Sequence, residues 1–307
     1  MANSSTVVAV TVTYNPGEDL EPFLESFRSQ TCPNLHLVIV DNDSRDGTAA
    51  ALDAISDRNI RVIHNARNVG VAAANNQGSV IAREMGAGAV LFLNNDTVFG
   101  PELIAGLAER LDYPRVAAVS PMIPYHDEPG RIWYGGGSFQ FWRGVLCVHD
   151  GTGEPVETAG TLPFRTGYAP TCCLLVDCRV FDRIGMMDES YFVYWDDTDF
   201  VWRMRQAGLG LLLDPGLRLL HKVSRSTGGP ESPFSIRYAQ RNQMLFVRKN
   251  FSAIWVAYTA TVSATVAVLK LVLGRQNRKQ TQMRLAALWE GLNMPLGGLN
   301  EAGGGNK

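Results

Sequence analysis

Residues Leu91–Gly100, LFLNNDTVFG, decide how this chain is interpreted. A short apolar run is followed at once by Asn94, Asn95 and Asp96. Such a run bounded by turn-forming residues is typical of a buried strand, and Pro101 opens the next predicted helix. The three polar side chains would then follow the carboxyl end of a strand, where α/β sheets place their ligands. Taken alone they are also explained by turn chemistry, so the rest of the chain has to decide.

Strands and helices alternate through the first part of the chain, which predicts an α/β fold with a mostly parallel central sheet flanked by helices. The predicted strands are Thr6–Thr13, Leu35–Val40, Ile60–Ile63 and Ala89–Leu93, and the main helices between them begin near Leu20, Ala49 and Ala72. We therefore interpret residues 1–115 as a nucleotide-binding half.

The character of the sequence changes after residue 116. Pro121–Thr166 is rich in Gly, Pro and aromatic residues and predicts loops and antiparallel strands. Short strands are predicted on either side of the Asp214-Pro215-Gly216 turn. Residues 116–230 are interpreted as an acceptor and catalytic half, residues 231–296 as a C-terminal helical extension, and residues 297–307, rich in Gly, as a disordered tail.

Composition and the absence of certain motifs argue against several classes of protein. The chain has 307 residues, 46% of them hydrophobic, and a net charge of −2, which argues against a general nucleic-acid binder. The turn Tyr14–Glu18 is not G-x-G-x-x-G, which argues against an NAD-dependent dehydrogenase, and there is no P-loop sequence. The N-terminus lacks a basic region followed by a long apolar stretch, so we predict no signal peptide. The adjacent Cys172 and Cys173 within an apolar run suit reduced core thiols, which predicts a cytoplasmic location.

One segment suggests a membrane. Phe251–Leu273 is the longest apolar stretch, long enough to span a bilayer but diluted by polar side chains. Five basic residues and no acids follow between Lys270 and Arg284, a pattern that an anionic membrane surface attracts. We predict association with the inner face of the plasma membrane. The alternative is a helical hairpin that closes the domain and exposes a solvated basic face.

Two strand-terminal acids have the chemistry of a nucleotide site. Asp41 ends the second predicted strand, and its carboxylate can accept the imide N–H of uracil or thymine, although an Asx turn explains it equally well. Asp96 could hold a divalent cation, which commonly takes only one or two protein carboxylates together with phosphate oxygens. Asn94 would then contact a ribose hydroxyl or a metal-bound water.

A further acidic cluster begins a predicted helix. Asp196 fits an N-cap and Asp199 lies three residues on, as in a capping box. Asp197 is not needed for that scheme. Trp195 beside it offers an apolar face on which a sugar or lipid-linked acceptor could stack, and a carboxylate in such surroundings can serve as a general base.

The loop His221–Ser226 follows an apolar strand and combines an imidazole, two cations and two hydroxyls. Lys222 and Arg225 can bind a diphosphate, and His221 can be a metal ligand. A lone histidine is more often a surface or core residue, so the interpretation depends on these neighbours.

Together these residues resemble the inverting glycosyltransferase family 2, with its GT-A fold, and within it most closely the bacterial rhamnosyltransferase-like members. The resemblance covers about Val7 to Gly229. Its landmarks are VTYN at Val12–Asn15, DNDSRDGT at Asp41–Thr48, Asn68 with Gly70 and Asn75, LFLNNDT at Leu91–Thr97, the stretch Phe181–Arg203, and HKVSRST at His221–Thr227. Trp195-Asp196-Asp197 with a histidine downstream is also similar to galactofuranosyltransferases, which leaves another hexosyl donor open.

The resemblance implies a role for each matching position. The nucleoside and the rest of the nucleotide sugar would be held by Thr13, Tyr14, Asp41, Asn68, Asn75, Asn94, Asn95, Lys222 and Arg225. Asp96 would bind the divalent cation, Mg²⁺ or Mn²⁺, with His221. Asp197 would be the catalytic base. Two departures from the family pattern matter: Asn94 replaces the first acid of D-x-D, and Asp196 replaces the usual glutamate, so Asp196 stays a second candidate base.

The predicted partners follow from this resemblance. The donor would be a dTDP- or UDP-linked sugar, with rhamnose suggested by the most similar members. The acceptor would be a glycan or a polyprenyl-linked glycan of cell-surface polysaccharide synthesis, and a homo-oligomer is left open. The non-catalytic rival, a nucleotide-sugar-binding protein with a dead site, is disfavoured because Asp96 and Asp197 are both retained.

Overall fold

Four parallel strands alternate with helices in the first part of the chain, as the sequence predicts. The computed structural model describes residues 6–223, 229 and 231–296. The elements are β1 (Val7–Thr13), α1 (Leu20–Arg28), β2 (Leu35–Asp41), α2 (Thr48–Asp53), β3 (Ile60–His64), α3 (Val71–Glu84) and β4 (Ala89–Leu93). In the sheet β4, β1, β2 and β3 are neighbours in that order, so their carboxyl ends share one edge.

The residues after β4 differ from the prediction. Instead of leading directly into a helix at Pro101, the chain forms a short strand, β5 (Thr97–Phe99), and α4 begins only at Leu103 and ends at Leu111. β5 pairs antiparallel with a strand about 120 residues later, with Thr97 opposite His221. This long-range pairing turns the Asn94–Asp96 segment into a connection between two strands.

The second half extends the same sheet with mixed strand directions. Its elements are β6 (Val116–Pro124), β7 (Ile132–Tyr134), β8 (Gly137–Gln140), β9 (Leu146–His149), β10 (Phe164–Arg165), β11 (Cys173–Asp177), α5 (Arg179–Ile184), α6 (Asp196–Gln206) and β12 (Gly210–His221). The strand order is β10-β12-β6-β11-β4-β1-β2-β3. β11 lies antiparallel between β6 and β4, whereas β12 is parallel to β6. β8 and β9 form a separate hairpin.

The predicted pair of strands around Asp214 is a single strand. β12 runs through the Asp214-Pro215-Gly216 segment with a shift of register between Asp214 and Arg218. The Asp214 carboxylate accepts hydrogen bonds from the Gly216 N–H at 2.8 Å and from Arg110 Nε at 2.7 Å. These contacts hold an irregularity inside the strand, so the turn residues do not end it.

Three helices complete the described chain. They are α7 (Pro233–Asn250), α8 (Ala253–Val272) and α9 (Arg278–Asn293). α7 begins at the Ser232 cap, and Asn277 forms a capping box with Gln280 at the start of α9. Phe246 of α7 is buried against Trp202 of α6, so this helix shares the core of the α/β domain. The proposed boundary near residue 230 stays a prediction, and residues 297–307 lie outside the described part.

Candidate active site

Asp96 and His221 meet because β5 and β12 are paired. The backbone N–H of Lys222 donates to the Asp96 carbonyl at 3.0 Å. His221 Nε2 lies 3.2 Å from Asp96 Oδ1, an ion-pair distance without hydrogen-bond geometry. Both side chains are buried, and within the described residues neither Asp96 Oδ1 nor His221 Nδ1 makes a hydrogen bond.

Burial alone would raise the pKa of Asp96. The neighbouring His221 and the Asn94 amide favour the charged carboxylate and bring that pKa below its usual value. Asp96 is therefore an anion at neutral pH, with one oxygen that no donor in the described part of the chain uses. A buried polar atom of this kind needs a partner.

The strand ends around Asp96 are tied together by side chains. Asn95 Nδ2 donates to Thr13 Oγ1 at 2.8 Å, which joins the end of β4 to the end of β1. Thr13 is buried, whereas the next residue, Tyr14, is exposed. Four of the predicted nucleotide-site residues, Thr13, Tyr14, Asn94 and Asn95, thus lie at one edge of the sheet.

Asp41 lies at the same edge and has two protein partners. Its Oδ1 accepts from the Ser44 N–H at 3.2 Å, and its Oδ2 lies 3.2 Å from His64 Nδ1. The other ring nitrogen of His64 contacts Asp53 Oδ1 at 3.0 Å. The sequence did not single out His64. The parallel pairing of β2 and β3 could have indicated it, because this register puts the last residue of β3 beside the last residue of β2.

Asn68 and Asn75 have different surroundings. Asn68 Oδ1 accepts from the Gly70 N–H at 2.9 Å and lines a cleft of about 440 Å³ before α3. Asn75 is buried within α3, and its Nδ2 lies 3.7 Å from Met187 Sδ. Asn68 therefore lies at a surface cleft, whereas the Asn75 side chain contacts the chain before α6.

Asp197 is held at both carboxylate oxygens. Oδ1 accepts from the Thr198 N–H at 2.6 Å and from Thr198 Oγ1 at 3.2 Å. Oδ2 accepts from the Tyr168 hydroxyl at 2.6 Å. Burial raises the pKa of Asp197, and the bonds from Tyr168 and Thr198 offset part of that rise. This carboxylate is fixed in orientation and more basic than an exposed aspartate.

The capping scheme predicted for the acidic cluster is wrong. α6 begins at Asp196, and its N-cap is Trp195, in a left-handed conformation at φ 71° without a side-chain cap. Asp199 pairs instead with Arg203, with 2.7 Å between Oδ2 and Nε. Asn242 of α7 donates to the carbonyls of Val193 and Tyr194, which holds the loop that makes this unusual start. Tertiary contacts replace the local cap.

Asp196 is buried beside Asp197. Burial, and then the charge of Asp197, raise its pKa to about 8, so Asp196 is mainly protonated at neutral pH. Two adjacent acids of unequal proton affinity, one buried and one partly buried, favour one carboxylate and one neutral carboxyl. This distribution supports Asp197 as the base and gives Asp196 a different role.

Trp195 contacts the protein core with part of its surface. Its ring lies 5.3 Å from the Phe246 ring, centroid to centroid, and the side chain is only partly exposed. One side of the indole therefore packs against α7. Only the remaining surface of the ring is available for the predicted stacking of an acceptor.

An aromatic wall connects the two acidic positions, and the sequence did not reveal it. Trp133 lies edge-on to both His221 and His149, each at 4.5 Å between ring centroids. His149 stacks on Tyr168 at 5.8 Å, and Tyr168 bonds Asp197. Burial lowers the pKa of His149, so this ring is neutral at neutral pH. These contacts form a continuous series of side chains from the Asp96–His221 pair to Asp197.

A comparison of the sequence with protein-family models identifies the family. Residues 8–185 match glycosyl transferase family 2. The chain belongs to this family. The matched region contains Asp41, Asp96 and Tyr168 and ends before Asp197, so the second acidic position lies on the C-terminal side of the match.

Two bacterial proteins are similar to this glycosyltransferase over nearly their whole length. One is an N-acetylglucosaminyl-diphospho-decaprenol L-rhamnosyltransferase of Mycobacterium tuberculosis, 28% identical over 92% of this chain and 97% of the relative. The other is the dTDP-rhamnosyl transferase RfbF of Shigella flexneri, 24% identical over 96% of this chain and 98% of the relative. The predicted resemblance to rhamnosyltransferase-like members is confirmed.

Solved structures confirm the predicted GT-A fold. GalNAc-T7 with UDP, GalNAc and Mn²⁺ superposes with a TM-score of 0.66 at 17% identity, over 92% of this chain and 54% of that one. A mannosyltransferase of Pyrobaculum calidifontis, in complex with GDP-Man and Mn²⁺, superposes with a TM-score of 0.57 at 16% identity, over 94% of this chain and 86% of that one. The chain is therefore a glycosyltransferase by family, with the GT-A fold.

In this glycosyltransferase the Lys222 side chain contacts a carboxylate of the protein, whereas the sequence predicted that it binds the diphosphate. Its Nζ donates to Asp19 Oδ1 at 2.7 Å, and both side chains are buried. The ammonium therefore joins the end of β12 to the segment before α1. Arg225, the second predicted diphosphate ligand, lies outside the described residues.

The donors near Asp96 fit a cation with an incomplete protein shell. Within residues 6–223, 229 and 231–296 no group of three or more His, Cys, Asp or Glu side chains is arranged to hold a metal ion. Asp96 Oδ1 and the His221 ring supply the donors that are present. Mg²⁺ and Mn²⁺ suit such a site when phosphate and water oxygens complete the coordination.

Proposed function

We propose that this glycosyltransferase transfers rhamnose, with inversion at the anomeric carbon, from a dTDP- or UDP-linked donor to a lipid-linked glycan. The observation that carries the proposal is the partly buried Asp197, which is oriented by Tyr168 and connected through the aromatic wall to the Asp96–His221 pair. A basic carboxylate and a site for a diphosphate are the two parts that this reaction needs.

Asp197 acts as the general base in this proposal. An acceptor hydroxyl gives its proton to the Asp197 carboxylate while its oxygen bonds to the anomeric carbon. The bond from that carbon to the diphosphate oxygen breaks, and the electron pair leaves with the diphosphate. Thr198 and Tyr168 keep the carboxylate in one orientation throughout. Such general-base assistance contributes about 10²–10⁴-fold to the rate.

Asp96 and His221 would hold the divalent cation, Mg²⁺ or Mn²⁺. When bound, the ion supplies positive charge to the leaving diphosphate. The support is the buried Asp96 oxygen, which has no hydrogen-bond donor among the described residues, together with the Mn²⁺ in both solved structures of similar fold. Asn94, beside Asp96, would contact the ribose or a water on the ion.

Asp41, Thr13 and Asn95 would form the nucleoside end of the site. They lie at the carboxyl ends of β1, β2 and β4, where an α/β sheet binds its ligand. Rhamnose as the sugar and dTDP as the carrier are supported by the two bacterial relatives that are similar over nearly their full length.

The acceptor proposed here is borne by a lipid at the cytoplasmic face of the plasma membrane. The Mycobacterium tuberculosis relative is named for a decaprenol-linked acceptor. Among the described residues one helix, Ala253–Val272, is long and apolar enough to cross a bilayer, and little of it is buried in the protein. Both observations favour an enzyme that meets its acceptor at a membrane.

The test is Asp197→Asn, with release of nucleotide diphosphate and donor binding measured separately. Incubation with dTDP-rhamnose or UDP-linked sugars and Mn²⁺ should show transfer by the wild type and a loss of about 10²–10⁴-fold in the variant, with donor binding retained. Asp182→Asn, which changes an exposed carboxylate on α5, serves as the control. Unchanged transfer by Asp197→Asn contradicts the base assignment, and loss of donor binding makes the residue structural.

A further inference from the structure

The outer face of α8 is apolar from one end of the helix to the other. Most of its exposed residues recur at helical spacing and therefore form a single face. We name these residues the α8 stripe: Ile254, Ala257, Tyr258, Thr261, Thr265, Val268, Leu269 and Val272. Ile254 is 81% exposed and Val272 is 74% exposed. The stripe contains no charged side chain, which is unusual for the solvent face of a helix.

The stripe continues onto the tip of the β8–β9 hairpin. Tyr258 Oη donates to the Trp142 carbonyl at 2.7 Å, and Trp142 at this tip is 72% exposed. Gln243 of α7 donates to the Gly144 carbonyl at 2.8 Å and fixes the tip from the inside. Tryptophan and tyrosine at the end of an apolar face are the side chains that prefer the headgroup region of a bilayer.

The other end of the stripe is basic. Lys270 lies in the last turn of α8, and Arg275, Arg278 and Lys279 follow in the turn and the first residues of α9. None of these four forms an ion pair with a described residue. The fifth basic residue, Arg284, differs because it pairs with Glu231 at 2.7 Å. Cations of this kind beside an apolar face complement anionic lipid.

The inner side of α8 is built into the fold. Thr259 and Ala267 are buried. Gln276 donates to the Ala267 carbonyl at 2.7 Å. α9 packs along α8 and carries Glu290, which pairs with Arg237. A spanning orientation would take these charged and amide groups into hydrocarbon at high cost.

The hairpin also links this surface to the aromatic wall. Trp142 lies at its tip, and His149, which contacts Trp133 and Tyr168, is the last residue of β9. Strands of four residues separate the two, which corresponds to about 13 Å. An acceptor sugar carried by a lipid would therefore have to extend over this distance, from the headgroup region at Trp142 to the site at His149.

We propose that α8 lies in the plane of an anionic bilayer, with the α8 stripe and Trp142 inserted at the headgroup boundary and the four cations on the lipid phosphates. The proposal deepens the membrane association proposed above and rests on it, but it is independent of the chemistry at Asp197. The hairpin then holds the site at a fixed height above the lipid.

Cosedimentation with vesicles tests this surface. The full chain should bind phosphatidylcholine vesicles containing phosphatidylglycerol at least about tenfold more tightly than pure phosphatidylcholine vesicles. The double variant Ile254→Asp, Val272→Asp should weaken this binding at least about tenfold. Arg278→Gln with Lys279→Gln should lower binding to the anionic vesicles toward the neutral level. Val80→Asp, at an exposed apolar position on α3, is the matched control and should bind like the wild type.

Three outcomes would overturn the proposal. If the wild type binds neither kind of vesicle, the α8 stripe is not a lipid-binding surface. If the wild type binds no vesicles and is a dimer by light scattering, and the double variant is a monomer, then a second copy of the chain covers the stripe. Vesicle-bound protein that resists alkaline carbonate is inserted across the bilayer and not in its plane. The double variant should transfer sugar to a water-soluble acceptor at the wild-type rate. If neither the wild type nor any variant transfers sugar to that acceptor, the result counts against the proposed reaction and not against the membrane surface.

Discussion

The Tyr168 hydroxyl donates to Asp197 Oδ2 at 2.6 Å; Tyr168 is buried and Asp197 is partly buried. Burial and the charge of Asp197 raise the pKa of Tyr168, so the phenol keeps its proton and stays a donor at all working pH values. The bond stabilises the charged carboxylate, which sets both its orientation and its proton affinity.

Tyr168→Phe should lower kcat roughly tenfold and move the acid limb of the pH–kcat/KM profile upward by about one pH unit. The sign follows from the bond: its loss removes a stabiliser of the carboxylate, so the pKa of Asp197 rises further. Tyr134→Phe is the matched control, since Tyr134 Oη donates to the Tyr168 carbonyl and does not touch Asp197. An acid limb that shifts equally in both variants would make Tyr168 merely structural.

Asp96→Asn should weaken Mn²⁺ binding in the presence of dTDP or UDP by about tenfold or more. The amide keeps the size of the side chain but removes the negative charge beside His221. Titration calorimetry with Mn²⁺ and free nucleotide measures this without any turnover. His221→Gln should weaken the same binding, and normal Mn²⁺ affinity in both variants would refute the cation site.

Lys222→Met should reduce the free energy of unfolding by about 3 kcal/mol, because it leaves the buried Asp19 carboxylate without this cation. Urea denaturation measures the change. Arg28→Met is the control: its pair with Glu21 is exposed, so it should change stability by less than about 1 kcal/mol. Full stability of Lys222→Met combined with weaker donor binding would restore the diphosphate role predicted from the sequence.

The thermal stability of the wild type should fall as the pH rises from about 5 toward 8, and Asp196→Asn should flatten this fall. The pKa of Asp196 is about 8 in the folded protein and about 3.9 in an unfolded chain. The folded state therefore binds more protons in this window, and its stability declines with rising pH through the folded value. Melting temperatures measured across the window test the prediction, and parallel curves for the two proteins would contradict it.

The sequence by itself determined the α/β class, the position of Asp41 at the end of a strand, the position of Asp96 shortly after one, and the family. These features are local. A strand is recognisable from its own apolar run, and a polar residue that ends it is recognisable from its neighbours. The start of α7 is also a local feature, because the Ser232 side chain caps the helix by accepting from the Ser235 N–H.

Only the tertiary structure decided how the site is assembled. The pairing of β5 with β12 brings His221 to Asp96, and the loop held by Asn242 starts α6 without the predicted side-chain cap. Tyr168 and His149 carry no motif, yet they connect the two acidic positions, and Lys222 is committed to Asp19. Each of these contacts joins residues far apart in the chain, and hydrophobic periodicity carries no information about which distant segments will meet.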